Sequence, residues 1–130
     1  MNANQSISAI ETYLYGLFNN VVSAHTYVGS LPETIKASWN DMLLIQCDNG
    51  VNDYEGYGNG TVLLFLYARP RSDGSKNVNR LSEMETAARQ AIDGMDSSGD
   101  YYLYHKKSYS DYDYSRNWHC NIISVGITAK

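Results

Sequence analysis

Apolar residues recur along the chain with two different periods, which predict helices in two segments and strands in four. From Ser6 to Val22, and again from Asn79 to Met95, they recur mainly in steps of three and four. The apolar positions are Ile7, Ile10, Leu14, Leu17, Phe18 and Val21 in the first segment and Leu81, Met84, Ala88, Ala91, Ile92 and Met95 in the second. Such spacing places them on one face of an α-helix, so each segment is predicted to pack that face against the rest of the chain.

Two short apolar runs, Met42–Cys47 and Thr61–Arg69, have the length of strands. The second is apolar at consecutive positions, which is typical of a central strand covered on both faces. The residues between the runs are rich in Gly, Asn and Asp, which form turns. The two strands are therefore predicted to form a long hairpin, whose connector Tyr54–Gly60 projects as a mobile arm.

The C-terminal part of the chain predicts a second pair of strands. Asp100–Tyr109 is polar on both faces and is predicted to lie near an edge of the sheet, followed by a turn at Ser110–Asn117. Trp118–Thr128 alternates and is predicted to be the last strand. By contrast, Ser23–Asn40 has no periodicity and contains Pro32, so it is predicted to be a loop.

The predicted order of elements is helix, strand, strand, helix, strand, strand. Strands joined by short connections pair antiparallel. The predicted fold is therefore α+β, an antiparallel four-stranded sheet with two helices packed on one face. At 130 residues the chain has the size of one domain, and residues 1–130 are predicted to form a single domain.

Charge and composition exclude several classes of protein. The formal net charge is −4, and no basic run is longer than Lys106-Lys107, so the chain lacks the positive field of a non-specific nucleic-acid binder. The longest apolar stretch, Val62–Ala68, is far shorter than the roughly 20 residues of a membrane span. Residues 1–5 have neither a basic start nor the apolar segment of a secretory signal. We therefore expect a cytoplasmic protein with reduced thiols that binds neither nucleic acid nor membrane.

Cys47, Cys120 and His119 are candidate metal ligands if the first and last strands are neighbours. A structural zinc site requires four converging ligands, and no fourth is apparent. Moreover, His119 and Cys120 are adjacent and point to opposite faces of a regular strand. As a nucleophile Cys120 meets a further objection, since a thiol in an apolar strand stays protonated. We predict no metal and no cofactor.

The remaining polar clusters do not match a known catalytic or ligand motif. Asp111 and Asp113 alternate, but no glutamate follows at the spacing of a calcium loop, so they are interpreted as solvated carboxylates. The glycines in residues 56–60 lead into a strand and not into a helix, unlike those of a phosphate loop. An enzyme that uses His119 or His105 with an acidic partner is one hypothesis, and it requires both groups in one cleft. Without a catalytic motif, the protein is predicted not to be an enzyme.

Tyrosine is the unusual feature of the composition, with 12 residues against two Phe and two Trp. Its ring buries a large area while its hydroxyl needs a polar or wet environment, which suits half-exposed sheet faces and interfaces. We predict an interface at Tyr54, Tyr57, Tyr109, Tyr112 and Tyr114. The alternative is a small sheet whose outer face carries tyrosines without binding a partner.

The order of the predicted elements, and the kinds of residue in them, resemble those of a known family. A leading helix and the segment Trp39-Asn40-Asp41 precede the strand Met42–Cys47. A glycine-rich hairpin then leads into Thr61–Ala68, and a helix and a closing strand pair with Trp118–Val125 follow. This layout resembles the tail-terminator and tail-completion (minor tail) proteins of long-tailed phages and prophages.

The resemblance implies a structural subunit of phage-tail assembly that acts through protein–protein contacts. It implies a homo-oligomer, often a hexameric ring, with tail-tube or head–tail connector proteins as partners. Cys47–Thr61 corresponds to the family's outward hairpin and Pro70–Asn77 to the loop after its central strand. Such a protein is expected in the bacterial cytoplasm during assembly and afterwards in the virion tail. A second hypothesis is a small binding domain with a tyrosine-lined pocket between sheet and helices.

Overall fold

Two helices and six strands make up the described part of the chain, residues 6–47, 52–54, 57–94 and 101–129 of a computed structural model. In chain order they are α1 (Ile7–Phe18), β1 (Thr26–Val28), β2 (Asp41–Cys47), β3 (Asn52–Tyr54), β4 (Tyr57–Ala68), α2 (Val78–Asp93), β5 (Tyr101–Asp113) and β6 (Trp118–Ala129). The α+β class and the two helices are confirmed. Of the predicted connector Tyr54–Gly60, residues 57–60 already belong to β4, whereas residues 55 and 56 lie outside the described residues.

The strands form one sheet in the order β1-β2-β4-β6-β5, with β3 paired to β4. The four predicted strands, β2, β4, β6 and β5, pair antiparallel, and β5 lies at an edge. The prediction of a four-stranded, wholly antiparallel sheet is wrong in two details. β1 adds a parallel strand at the other edge, and β3 forms a short antiparallel pair with the start of β4.

Strand β1 lies inside the segment predicted to be a loop, because three residues are too few to show a period. Its residues, Thr26–Val28, are β-branched or aromatic and favour extended structure. The Leu43 N–H donates to the His25 carbonyl at 2.9 Å, and the Gly29 N–H donates to the Ile45 carbonyl at the same distance. Gly29 has a φ of +83°, which ends the strand in a conformation that favours glycine.

Helix α1 begins and ends at residues that cap its backbone. The Ser6 side chain accepts a hydrogen bond from the Ala9 N–H at 3.1 Å, as expected of an N-cap. Asn20 has a φ of +62°, in the left-handed region that interrupts a helix. For this reason α1 ends at Phe18, four residues before the predicted end at Val22.

Helix α2 begins after Asn77, whose side chain accepts a hydrogen bond from the Arg80 N–H at 3.2 Å. Arg80 also ties the helix to the rest of the fold. Its Nε donates to Asp41 at 2.8 Å, and its Nη2 donates to the Val22 carbonyl at 3.1 Å. The observed helix ends at Asp93, and Met95, which closed the predicted helix, lies outside the described residues.

The main core lies between both helices and one face of the sheet. Alternate residues of β2, β4 and β6 point to this side, as the period of two requires. They are Leu43, Ile45, Val62, Leu64, Leu66, Ile123, Val125 and Ile127. They pack against Ile10, Leu14 and Phe18 of α1 and Leu81, Met84, Ala88 and Ile92 of α2. Burial of such a side chain contributes roughly 1.5–3 kcal/mol, so this layer fixes both helices on one face of the sheet.

The opposite, outer face of the sheet carries a second cluster, which residues 31–39 cover in part. We call these residues the strap. Leu31, Ile35 and Trp39 of the strap pack against the cluster. The buried members of the cluster are Met42, Leu44, Tyr67, Trp118, Cys120 and Ile122. The strap therefore gives the sheet a third layer over β2 and β4, on the side away from the helices.

The hairpin between β5 and β6 differs from its prediction. Ser110–Asn117 was expected to be a turn, but β5 extends to Asp113 and pairs along that length with β6. The turn starts at Asp113, whose Oδ1 accepts hydrogen bonds from the backbone N–H groups of Ser115 and Arg116 at 3.0 and 3.2 Å. It closes at Asn117 with a φ of +58°. Turn-forming residues before Asp113 lie in the strand because cross-strand pairing continues past them.

Candidate interaction surface

Three exposed tyrosines share the outer face of the sheet with two half-buried apolar residues. Tyr102, Tyr104 and Tyr109 on β5 are 51%, 40% and 42% exposed, and Leu63 and Phe65 of β4 lie beyond β6 on the same face. We call these five residues the open face, because the strap packs further along the same side. Large, partly exposed aromatic side chains on a rigid sheet are typical of protein-binding surfaces.

A β-bulge in β5 brings the three tyrosines to one face. Before the bulge Leu103 is buried on the helix side, so Tyr102 and Tyr104 point outward. The register then shifts between His105 and Lys107, which leaves one extra residue in β5. Because of this shift Tyr109 also points outward, although it is an odd number of residues from Tyr104.

Gly126 of β6 provides the space for the Tyr104 ring. The two residues are paired across the strands, and a Cβ atom built on Gly126 would overlap the ring. Glycine in the middle of a strand often marks such a close approach. The ring of Tyr102 lies beside that of Tyr104, with centroids 6.0 Å apart. The orientation of both tyrosines is therefore set by packing.

Lys106 and Lys107 place positive charge beside the tyrosines. The Lys106 ammonium donates to the Thr61 hydroxyl at 3.1 Å, across β6. The Lys107 ammonium lies 5.5 Å from the centre of the Tyr109 ring, within the range of a cation–π contact. The open face therefore carries one positive charge over β6 and another along β5.

Arg69 fastens the strap to the sheet. Its guanidinium lies 4.8 Å from the centre of the Trp118 ring. It also donates to the Trp39 carbonyl from Nε at 2.9 Å and from Nη2 at 2.6 Å. On the other side of the strap, the rings of His25 and Trp39 stack with centroids 4.3 Å apart. These contacts hold the strap in one position next to the open face.

Tyr112 and Tyr114, two of the predicted interface residues, meet at the tip of the β5–β6 hairpin. Their ring centroids are 4.9 Å apart, and Tyr112 also packs edge-to-face on His119 at 4.8 Å. Tyr114 is 83% exposed. Tyr112 pairs with His119 on the helix side of the sheet, so Tyr112 and Tyr109 point to opposite faces of β5.

Tyr54 and Tyr57 lie at the other end of the sheet, where β3 pairs with the start of β4. Their backbones are cross-strand neighbours, and their side chains lie outside the described residues. The structure therefore brings Tyr54 together with Tyr57 and Tyr112 with Tyr114, but it does not unite the five predicted residues. Tyr102 and Tyr104 are not in the prediction, although their alternation with buried residues is a signal that points to them.

The two thiols lie on opposite faces of the sheet. Cys47 packs against the helix-side core, and Cys120 belongs to the outer cluster. They pair with Val62 and Tyr67 of β4, five residues apart, which corresponds to roughly 17 Å along the strand. Among the described residues no three His, Cys, Asp or Glu side chains are grouped to hold a metal ion. The thiols therefore do not form the zinc site considered above.

Burial suppresses the acidity of two groups in the outer cluster. Burial, with a smaller contribution from the carboxylates of Asp111 and Asp113, raises the pKa of the Cys120 thiol to about 12. Burial also raises the pKa of the Tyr67 phenol, which forms a hydrogen bond with Asp113. The prediction that Cys120 stays protonated is thus supported by its surroundings, which disfavour the thiolate.

The two strand histidines have separate surroundings. His105 forms a hydrogen bond with the Ser108 hydroxyl at 2.8 Å, on the exposed edge of β5. His119 pairs in the sheet with Ala68, whereas His105 pairs with Val125, six residues further along β6. That separation is roughly 20 Å along the strand. The two histidines therefore lie far apart on the sheet, and His105 lines a surface hollow together with Asp93 of α2.

No family model and no curated protein matches this chain. No helix in the described part of the chain has the length and apolar character needed to cross a membrane.

Proposed function

We propose that the protein is a structural subunit of phage or prophage tail assembly, similar to a tail terminator, which acts through protein–protein contacts and not by catalysis. In this proposal it forms a homo-oligomer, with a ring as the expected form, and binds tail-tube or head–tail connector proteins. The order of its elements supports the assembly role. The observation that carries the contact role is the open face, with three outward tyrosines on one rigid strand.

The packing of the open face suits a binding surface. Tyrosine offers a large contact area and loses little conformational entropy, because it has only two side-chain torsions. Tyr104 is already held over Gly126 and Tyr102 lies against it, so binding would cost little further ordering. Leu63 and Phe65 provide apolar area beside them, which is typical of the centre of an interface.

The packing beneath the helices favours this proposal over the ligand-binding alternative. A pocket between sheet and helices would require space lined by tyrosines. In the described residues that layer is filled mainly by fully buried aliphatic side chains, among them Leu14, Leu64, Met84 and Ile123. Tyr13 and Tyr101 also lie in it, but their rings pack on each other with centroids 4.6 Å apart. Other tyrosines lie on the outer face or at the hairpin tip, namely Tyr67, Tyr102, Tyr104, Tyr109, Tyr112 and Tyr114.

Co-expression with the products of the neighbouring genes tests the proposal. A tagged chain is expected to retain a tail-tube or connector protein, and electron microscopy of the complex is expected to show rings or capped tubes. Tyr102→Ser combined with Tyr104→Ser is expected to abolish the retention. Tyr15→Ser is the matched control, because Tyr15 lies on α1 and is similarly exposed, at 41%.

Two results would contradict the proposal. One is a chain that retains no tail protein and shows no ring at any concentration. The other is retention that is lost equally with Tyr15→Ser and with the open-face variant, because a general loss of solubility would then explain both.

A further inference from the structure

The edge strand β5 has a pattern of side chains that is complementary to itself. Lys107, Tyr109 and Asp111 follow each other on the outer face, and Ser108 and Ser110 lie on the helix face between them. We propose that β5 of one copy pairs antiparallel with β5 of a second copy, about a two-fold axis at Tyr109. The occupant of this edge is thus a second copy of the same chain.

β5 can accept such a partner because its residues 107–111 pair, within the described part of the chain, with β6 on one side only. The strand has 13 residues and ends the sheet, with β6 as its neighbour. An edge strand presents a row of backbone N–H and C=O groups that can pair with another chain. The proposed contact uses residues 107–111, which follow the bulge and pair without interruption with β6. All five residues are exposed.

Charge selects the register of the pairing. With the axis at Tyr109, Lys107 of each copy lies opposite Asp111 of the other, so the dimer contains two such pairs. With the axis at Lys107, the centre of the strand, two lysines would face each other. Opposite charges stabilise cross-strand pairs, and like charges destabilise them. The lysines therefore disfavour pairing about the middle of the strand and favour pairing two residues further along.

The other side chains allow this register. The two Tyr109 rings meet at the axis, and aromatic pairs are favourable across antiparallel strands. The Lys107 ammonium already lies 5.5 Å from the centre of the Tyr109 ring, so it is close to the proposed axis. On the helix face Ser108 lies opposite Ser110 of the other copy, and both side chains are small. On the helix face the Lys76 ammonium donates to the Ser110 hydroxyl at 3.1 Å.

This contact goes beyond the proposed function. Two-fold pairing uses the same surface on both copies and gives a closed dimer, whereas a ring is built from head-to-tail contacts between two different surfaces. The dimer contact is centred on Tyr109, and the test of tail binding uses Tyr102 and Tyr104. Loss of either contact can therefore be measured without loss of the other.

Sedimentation equilibrium of charge-reversal variants tests the proposal. Lys107→Glu and Asp111→Lys each place like charges opposite each other twice per dimer, so each is expected to weaken dimerisation by about tenfold or more. The double variant exchanges the charges and is expected to restore the parental dimer. Lys36→Glu and Glu33→Lys are matched controls, because both residues are exposed on the strap and make the same changes in net charge.

Disulfide formation tests the position of the axis. In a Cys47→Ala background, Tyr109→Cys places two thiols opposite each other at the axis, and a covalent dimer is expected under mild oxidation. Tyr102→Cys is the control, since this residue lies far from the axis and is not opposite its own copy. The buried, protonated Cys120 thiol is present in both variants and cancels in the comparison.

Three results would overturn the proposal: a parental chain that stays monomeric at high concentration, a double charge variant that dimerises no better than the single ones, or equal cross-linking at positions 102 and 109. In each case retention of tail proteins by the parental chain would still support the proposed function. Conversely, a two-fold dimer without that retention would support this inference alone.

Discussion

Replacement of Arg69 by alanine should release the strap from the outer face. Arg69 contacts both of the chain's tryptophans, because it donates to the Trp39 carbonyl in the strap and lies over the Trp118 ring in the sheet. Alanine removes the guanidinium from the Trp118 ring and takes both side-chain donors from the Trp39 carbonyl, whereas the Lys36 carbonyl keeps its hydrogen bond from the Trp39 N–H. The outer cluster then loses its cover over β2 and β4.

The expected loss of stability follows from these contacts. A cation–π contact contributes about 0.5–2 kcal/mol, depending on how far it is removed from water. Hydrogen bonds from a charged donor contribute about 1.5–3 kcal/mol. Arg69 is only half-buried, so water replaces part of both contributions. We therefore expect the free energy of unfolding to fall by about 2–3 kcal/mol, which lowers the midpoint of urea unfolding by about 1–2 M.

Urea titrations followed by fluorescence and circular dichroism measure this loss. The protein has two tryptophans, and both flank Arg69, so fluorescence reports on the strap itself. Arg69→Lys should be intermediate, because an ammonium keeps the charge but cannot bridge two carbonyls and a ring as a planar fork does. Arg71→Ala, at an exposed position two residues later, is the control and should leave the midpoint unchanged.

A midpoint that moves by less than a few tenths of a molar in the alanine variant would contradict this prediction. So would an equal loss of stability in Arg71→Ala, because net charge would then account for both effects. A fluorescence transition well before the loss of circular dichroism would instead show that the strap opens as a separate unit.

Other substitutions test the sheet and its polar contacts. Gly126→Val should push the Tyr104 ring away and reduce stability by about 1–3 kcal/mol, and Tyr104→Ala in the same chain should recover part of the loss, as thermal unfolding would show. Cys120 has a pKa of about 12 in the folded chain against an ordinary value of 9.0, so the unfolded state loses this proton first. Stability should fall as the pH rises above about 9, by up to ~1.4 kcal/mol per pH unit from this group, and Cys120→Ala should show a shallower fall in urea titrations at each pH. Asp41→Asn should cost about 1 kcal/mol by weakening the 2.8 Å pair with Arg80, and a double-mutant cycle with Arg80→Ala should show that the two losses do not add.

Most of the fold could be predicted from periodicity, and the differences have physical causes. The central strands were predictable because apolar runs and alternation determine which face each residue buries, as Leu64 and Ile123 show. Strand β1, with three residues, is too short to show a period, and its stability comes from backbone bonds to β2. Asp113 has the same turn-forming character within the strand or at its end, so composition alone could not locate the start of the turn.

The candidate surface was less predictable, because the face of a strand residue is predicted from the alternation of side chains along the strand. A bulge inserts one residue into this alternation, and it changes the face of every later residue in β5. In a regular strand that kept all of these residues, Tyr109 would point to the helix side. Tyr112 and Tyr114 could be predicted as an aromatic pair near a tip, whereas the union of Tyr102, Tyr104 and Tyr109 depends on the bulge.

A deletion at the bulge tests whether the register of β5 determines which side chains lie on its outer face. The register joins His105 to Val125 and Lys107 to Ser124, so Lys106 is the residue without a cross-strand partner. Its deletion should leave every other pair in place, remove the bulge and keep Tyr109 on the outer face. Thermal unfolding should therefore change by only a few degrees, with Lys106→Ala as the control that keeps the bulge. Deletion of Asn121 from the central strand β6 should instead turn buried residues toward the wrong face and prevent folding. If removal of Lys106 were as damaging, the extra residue would be needed for the twist of the edge, and the register alone would not explain which tyrosines share the open face.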